Sequence, residues 1–207
     1  MDYKCINVGM LGVNCYIVYK GNTGVIIDPG AEENKILNEV LSSGLNIKGI
    51  LLTHGHFDHV GATKYLSEKL KAPIYMHKAD EYMVLDSANN LSALMGMPDF
   101  ESFTPTNYIQ NGDELLFDDI KITAYLTPGH TSGSLTFVCE NLIFSGDTLF
   151  KDTIGRCDFP TGSFEEMMIS LKRVYKNFPD NMLLLPGHNQ ASTIGTEKRF
   201  NPYMLNI

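Results

Sequence analysis

Short apolar runs rich in β-branched residues, each bounded by Gly, Asn or Pro, recur along the chain. Such runs mark buried strands. They predict strands at 14–19, 24–28, 47–53, 73–77, 114–119, 120–126, 134–139, 141–146 and 182–187. The step Cys139-Glu140-Asn141-Leu142 reads as a tight hairpin turn with Asn141 near its apex. Helical spacing governs three other segments. Over 32–43, Ile36, Leu37, Val40 and Leu41 share one face; over 59–70, Val60, Thr63, Leu66 and Leu70 do. The third, 163–178, opens on Ser163 with Glu166 three residues later, a capping box, and carries the stripe Met167, Leu171, Val174 and Phe178. A core-facing helix side accounts for that stripe without any cofactor. The stretch 79–107 is irregular, with room for one or two short helices and a long loop, and a loop of that length in a compact domain is often functional. Strands and helices alternate early, strands cluster in the middle, and helix and strand return at the end. The order predicts an α/β fold of mixed sheets with helices on their outer faces. No linker or fixed repeat divides the chain, so one domain is expected over 1–207.

Four of the predicted strands end alike. Ile50-Leu51-Leu52-Thr53-His54-Gly55 leads to His56, Leu126-Thr127-Pro128-Gly129 to His130, Phe144-Ser145-Gly146 to Asp147, and Leu185-Pro186-Gly187 to His188. Glycine opens backbone turns closed to other residues, so the next side chain can be aimed over the strand end. Polar groups launched from several strand ends can meet in one crevice. The first ending is the densest: His54, His56, Asp58 and His59 fall within six positions, and they include three of the six histidines. His54 and His56 can reach one metal point, and Asp58 and His59 a second beside it. His59 would open the helix 59–70. His130, Asp147 and His188 would complete the set. Imidazole and carboxylate donors together suit zinc, iron or manganese. A single histidine at a strand end is commonly a hydrogen-bonded structural residue, and His77, which has no partner motif, is read that way.

Composition narrows the setting. The chain of 207 residues is 43% hydrophobic and 19% charged, an ordinary globular composition. Its formal charge of −8 argues against a nucleic-acid surface, although bound cations would offset some carboxylates. The start Met1-Asp2-Tyr3-Lys4-Cys5 lacks the basic and apolar regions of a signal peptide. No apolar run approaches the ~20 residues of a membrane span. Cys5, Cys15, Cys139 and Cys157 lie far apart with no C-x-x-C pair and read as buried thiols. The expectation is a cytoplasmic protein with a small-molecule partner, no nucleic acid and no membrane. Oligomeric state leaves no mark in the sequence.

At Thr53-His54-Gly55-His56-Phe57-Asp58-His59 the chain resembles the metallo-β-lactamase superfamily, whose hallmark is a T-H-x-H-x-D-H run. The later motifs follow in order: the histidine of Thr127-Pro128-Gly129-His130, the aspartate of Ser145-Gly146-Asp147 and the histidine of Pro186-Gly187-His188. The resemblance implies a four-layer αβ/βα sandwich with the metals at one edge. Within the superfamily the chain looks most like short bacterial members of the glyoxalase II group. Gly155-Arg156-Cys157-Asp158 resembles that group's G-R-x-D segment, and 193–204 resembles the carboxyl end of its short members. The further helical domain of full-length glyoxalase II is not expected within 1–207. Carried over by position, His54, His56 and His130 would hold a first metal, Asp58, His59 and His188 a second, and Asp147 would bridge them. Arg156 and Asp158 would brace their loop, and Cys157 is no expected ligand.

The resemblance implies two divalent metal ions, zinc in the first instance with iron or manganese as alternatives. It further implies thioester hydrolysis by a metal-bridging hydroxide, on S-D-lactoylglutathione or a related thiol adduct. Asp58 would orient that hydroxide as the catalytic carboxylate. A runner-up reading is a persulfide dioxygenase with one iron held by His54 or His56 with His130 and Asp147. Relatives of that kind usually show Gln after the G-R-x-D-F segment, where this chain has Pro160. A non-catalytic metal protein, a β-lactam hydrolase and a nuclease rank lower.

Overall fold

The computed structural model describes residues 1–97, 100–205 and 207. Its first sheet runs β1 (Asp2–Val8), β2 (Val13–Lys20), β3 (Thr23–Ile27), β4 (Asn46–Leu51), β5 (Ile74–His77) and β6 (Asn107–Ile109), in that spatial order. It is antiparallel as far as β3 and parallel from there on. The second sheet is built from β7 (Glu114–Phe117), β8 (Ile120–Leu126), β9 (Leu135–Cys139), β10 (Leu142–Gly146), β13 (Leu183–Pro186) and β14 (Ser192–Thr193). Among the described residues, only β10 and β13 pair parallel there. A hairpin of β11 (Leu149–Phe150) and β12 (Thr153–Ile154) follows β10. The helices are α1 (Glu33–Ser42), α2 (Phe57–Val60), α3 (Thr63–Leu70), α4 (Glu81–Leu85), α5 (Phe164–Asn177) and α6 (Ile194–Phe200). No helix among the described residues is long and apolar enough to cross a membrane.

The alternation of side chains sets the layers. In β3, Val25 and Ile27 join Phe137 and Phe144 of the second sheet in one buried cluster. Ile26 points the other way and joins Ile36 and Val40 of α1 and Leu66 of α3. In β10, Phe144 faces the first sheet while Ile143 joins Met167, Leu171 and Val174 of α5. Both faces of each sheet are therefore covered, giving the helix–sheet–sheet–helix order expected of the sequence. Each Ile or Phe so buried contributes roughly 1.5–3 kcal/mol.

Most predicted elements appear with ends shifted by one or two residues. Helices α1 and α5 do so, and Ser163 caps α5 by accepting from the Glu166 amide at 3.3 Å. The hairpin turn forms at Glu140 and Asn141, with Cys139 opposite Leu142. The predicted helix 59–70 is broken, and His59 lies inside α2 rather than opening a longer helix. The cause is the loop after β3. The Ala62 amide donates to Pro29 O at 2.9 Å. A Cβ on Gly61 would stand 2.4 Å from Gly30 O, and one on Gly30 would overlap Asp58 O. Two glycines thus let the backbones touch and seat Asp58 against the end of β3. The irregular stretch after β5 holds one 3-10 turn, Lys78–Asp80, then α4 and a long loop. Pro98 and Asp99 of that stretch lie outside the described residues.

Candidate metal centre

The loops after β4, β8, β10 and β13 bring His54, His56, His130, Asp147 and His188 together, and α2 adds Asp58 and His59. The glycines before the strand-end donors act in two ways. Gly129 and Gly146 have φ of +143° and +49°, the turning role read from the sequence. Gly187 instead makes room, since a Cβ there would lie 2.4 Å from Asp147 Oδ1 and 2.6 Å from His59 Cε1.

Three groups of donors have ligand atoms within 4.8 Å of one another: His54, His56 and His130; His54, His59 and Asp147; Asp58, His59 and His188. His56 Nδ1 and His130 Nε2 stand 2.9 Å apart. His59 Nε2 is 3.3 Å from His188 Nε2, and His188 Nε2 is 3.2 Å from Asp58 Oδ2. Asp147 lies between these sets, 3.4 Å from His59 Nε2, 3.5 Å from His130 Nε2 and 3.6 Å from His188 Nε2. Donors sharing one tetrahedral ion at 2.0–2.1 Å stand about 3.3 Å apart, the spacing seen here. All seven expected residues meet at this one place. His77 does not join them: its Nδ1 accepts from the Ala79 amide at 3.3 Å.

Four of the five rings are held from behind, which fixes the nitrogen each offers. His54 Nδ1 engages Thr53 Oγ1 at 3.1 Å, and His130 Nδ1 donates to Arg156 O at 2.7 Å. His188 Nδ1 donates to Leu11 O at 3.2 Å. His59 Nδ1 donates to Asp28 Oδ2 at 2.9 Å. Asp28 also accepts from the Thr53 amide at 2.7 Å and from Thr53 Oγ1 at 2.6 Å. Asp80, fully buried, ties the two histidine loops together. It accepts from the Gly55 amide at 3.1 Å, the Gly133 amide at 2.8 Å and Thr131 Oγ1 at 2.7 Å. Sequence reading missed both carboxylates. Asp28 ends a predicted strand, but Pro29 and Gly30 follow it, a sequence equally fit for an ordinary turn. Arg156 and Asp158 form a two-bond ion pair, at 2.9 and 2.7 Å, within their loop. Cys157 belongs to none of the donor groups.

Burial, with the neighbouring rings adding to it, pushes the His54 pKa well down and that of His56 to about 3. Both rings are thus neutral, the form in which imidazole binds a metal. At His59 burial opposes charge, but Asp147, Asp58 and Asp28 outweigh it and hold the pKa well above its ordinary value. Burial would raise Asp147 too, yet His59, His130 and His188 hold it low. Neutral His54 and His56 thus stand beside ionised Asp58 and Asp147, an environment that draws a cation, as the raised pKa of His59 shows.

Buried polar atoms are nearly always hydrogen-bonded. Here His54 Nε2, His56 Nε2 and Asp147 Oδ1 are buried without a partner. Imidazole nitrogens and carboxylate oxygens at these spacings fit a transition metal, and the cluster is a metal-binding His/Asp site. A cleft of about 940 Å³ opens over it, with His56, Asp58, His130, Asp147 and His188 in its lining.

The family model described as "Metallo-beta-lactamase superfamily" matches residues 8–188. Hydroxyacylglutathione hydrolase GloC of Haemophilus influenzae is 32% identical, over 99% of this chain and 98% of that protein. Among solved structures, BLEG-1, a B3 metallo-beta-lactamase, superposes with a TM-score of 0.94 at 30% identity, covering 98% of this chain and 99% of that one. TTHA1623 in a di-iron-bound form gives 0.88 at 35% identity, covering 97% and 99%.

Proposed function

The chain belongs to the metallo-beta-lactamase superfamily, and on that premise we propose that it is a metal-dependent hydrolase of thioesters, of the glyoxalase II type. The observation that carries this reading is the seven-donor cluster, with His54 Nε2 and Asp147 Oδ1 buried and unpartnered beneath an open cleft. The near full-length likeness to a hydroxyacylglutathione hydrolase supports a thioester as the substrate class. In this reading His54, His56 and His130 hold one cation, Asp58, His59 and His188 a second, and Asp147 spans both. When bound, two zinc ions would supply Lewis acidity and lower the pKa of a water toward neutrality. Likeness to a di-iron form keeps iron as the alternative metal.

The protein's own groups complete the chemistry. Asp58 orients the attacking water through its carboxylate, whose Oδ2 lies 3.2 Å from His188 Nε2, the spacing of two donors to one ion. Asp28 keeps the His59 ring turned so that Nε2 faces the site. Asp80 keeps the His54–His56 and His130 loops at a fixed separation. Water adds to the carbonyl carbon, the C–S bond breaks, and the products are a carboxylate, a thiol and one proton released to solvent. A thiolate departs readily, so no strong general acid is needed. Both sheets feed the site, which supports one functional unit over 1–207. The four free thiols support a cytoplasmic setting.

Two other chemistries compete. Likeness to a B3 metallo-beta-lactamase favours β-lactam hydrolysis as a second reading. Persulfide dioxygenation would use His54 or His56 with His130 and Asp147 on one iron, and Pro160 weighs against it. The test runs zinc-loaded protein anaerobically with a thioester panel and a chromogenic cephalosporin, beside iron-loaded protein with glutathione persulfide in an oxygen electrode. Thioester cleavage without oxygen is expected. Oxygen uptake with no thioester cleavage would make the dioxygenase correct.

A further inference from the structure

The rim of the metal cleft is apolar on both sides. The turn between β1 and β2 offers Met10, 71% exposed, and Leu11. Across the opening, the loop after α4 offers Leu94, 78% exposed, with Met95 and Met97. Side chains of this kind standing out together mark a binding groove rather than an ordinary surface. They line two adjoining spaces. One is the cleft over the metal centre. The other, about 510 Å³, shares Leu11, Phe57 and Asp58 with it and runs on to Tyr65 and Phe100. Because both spaces border Asp58, the rim belongs to the reacting site and not to a separate docking face.

Charge points the same way. Among the described residues lining the cleft, Arg156 is the one lysine or arginine. It is already committed to Asp158 and lies over the Phe159 ring, 4.2 Å from the ring centroid. Among the described residues, no lysine or arginine lines the second space, whose wall contains Glu33 and Glu101. A glutathione conjugate carries two carboxylates, and these walls give them no free cation. Desolvating unpaired charge is unfavourable, whereas an apolar chain gains from every methylene buried.

We propose that the non-reacting portion of the substrate is uncharged and apolar, so that the site prefers a medium-chain acyl thioester of a neutral thiol over a glutathione thioester. This rests on the thioester reading above. Each methylene buried in the second space raises kcat/KM about fourfold until that space is filled.

The experiment compares acetyl, butyryl, hexanoyl and octanoyl thioesters of N-acetylcysteamine, a neutral thiol, with the same acyl groups on glutathione, using zinc-loaded protein. In parallel, calorimetry measures binding of the uncleavable thioethers S-hexyl-N-acetylcysteamine and S-hexylglutathione. The proposal expects kcat/KM to rise with chain length, and the neutral hexanoyl ester to exceed its glutathione counterpart by about tenfold or more. The thioethers should bind in the same order, and Leu94→Lys should narrow the gap. A flat chain-length series, or a preference for glutathione in both assays, would overturn the proposal while leaving thioester hydrolysis intact. If no thioester is cleaved, the hydrolase reading fails, and the thioether order alone decides this one: tighter neutral binding upholds it, and equal or reversed binding overturns it.

Discussion

Asp28 Oδ2 stands 2.9 Å from His59 Nδ1 and joins the end of β3 to the middle of α2, although the residues are 31 positions apart. The contact fixes which nitrogen of a fully buried ring is presented to the cluster. Removing such a supporting carboxylate typically lowers metal affinity or activity about 10–100-fold. Asp28→Asn is expected to retain the fold by circular dichroism and to show that loss in a chelator competition titration. Unchanged affinity would mean that His59 needs no support from Asp28.

Asp58→Ala should damage turnover far more than folding. The carboxylate borders the cleft beside His188 Nε2 and is assigned to orient the water, a role that falls in the transition state. Loss of an oriented group of this kind costs about 10²-fold or more in kcat. A variant that melts like the wild type in chelator yet keeps near full activity would remove Asp58 from the mechanism.

Gly187→Ala tests the close packing under the centre. The added Cβ would lie 2.4 Å from Asp147 Oδ1 and must displace it or the His59 ring. Metal content after dialysis should fall well below that of the wild type. Gly187 also donates to Gly146 O and accepts from the Asn14 amide, so metal content is read on variant protein whose fold circular dichroism shows to be intact. Full metal occupancy in the variant would contradict the tight seat inferred for Asp147.

Metal removal should also register in stability. A ligand that binds only the folded chain adds about 2.7 kcal/mol at a hundredfold excess over its Kd. Thermal melts with and without chelator should therefore differ, and Asp147→Ala should shrink the difference. Identical curves would show that the seven donors are not coupled to folding through a bound ion.

Much of this site was legible in the sequence because its signal is local. His54, His56, Asp58 and His59 lie within one turn, and the other three donors each follow a strand and a glycine. Strands β2, β3, β9 and β10 were legible because their apolar residues are contiguous and buried. Strand β1 was not, since it is a sheet edge whose residues are mostly exposed or half-buried. The short helix α6 begins with Ile194 and Gly195, which hide helical spacing. The break at Gly61 depends on the backbone at Gly30, a contact between distant parts of the chain. Asp28 and Asp80 were silent for the same reason: a lone aspartate reveals its partners only when the chain has folded.

Anomalous diffraction from crystals of metal-loaded protein tests the central claim, a two-metal centre, most directly. The account predicts two peaks, one among His54, His56 and His130, the other among Asp58, His59 and His188, with Asp147 reaching both. A single peak at the first position, with Asp58 and His59 turned away from the site, would contradict it.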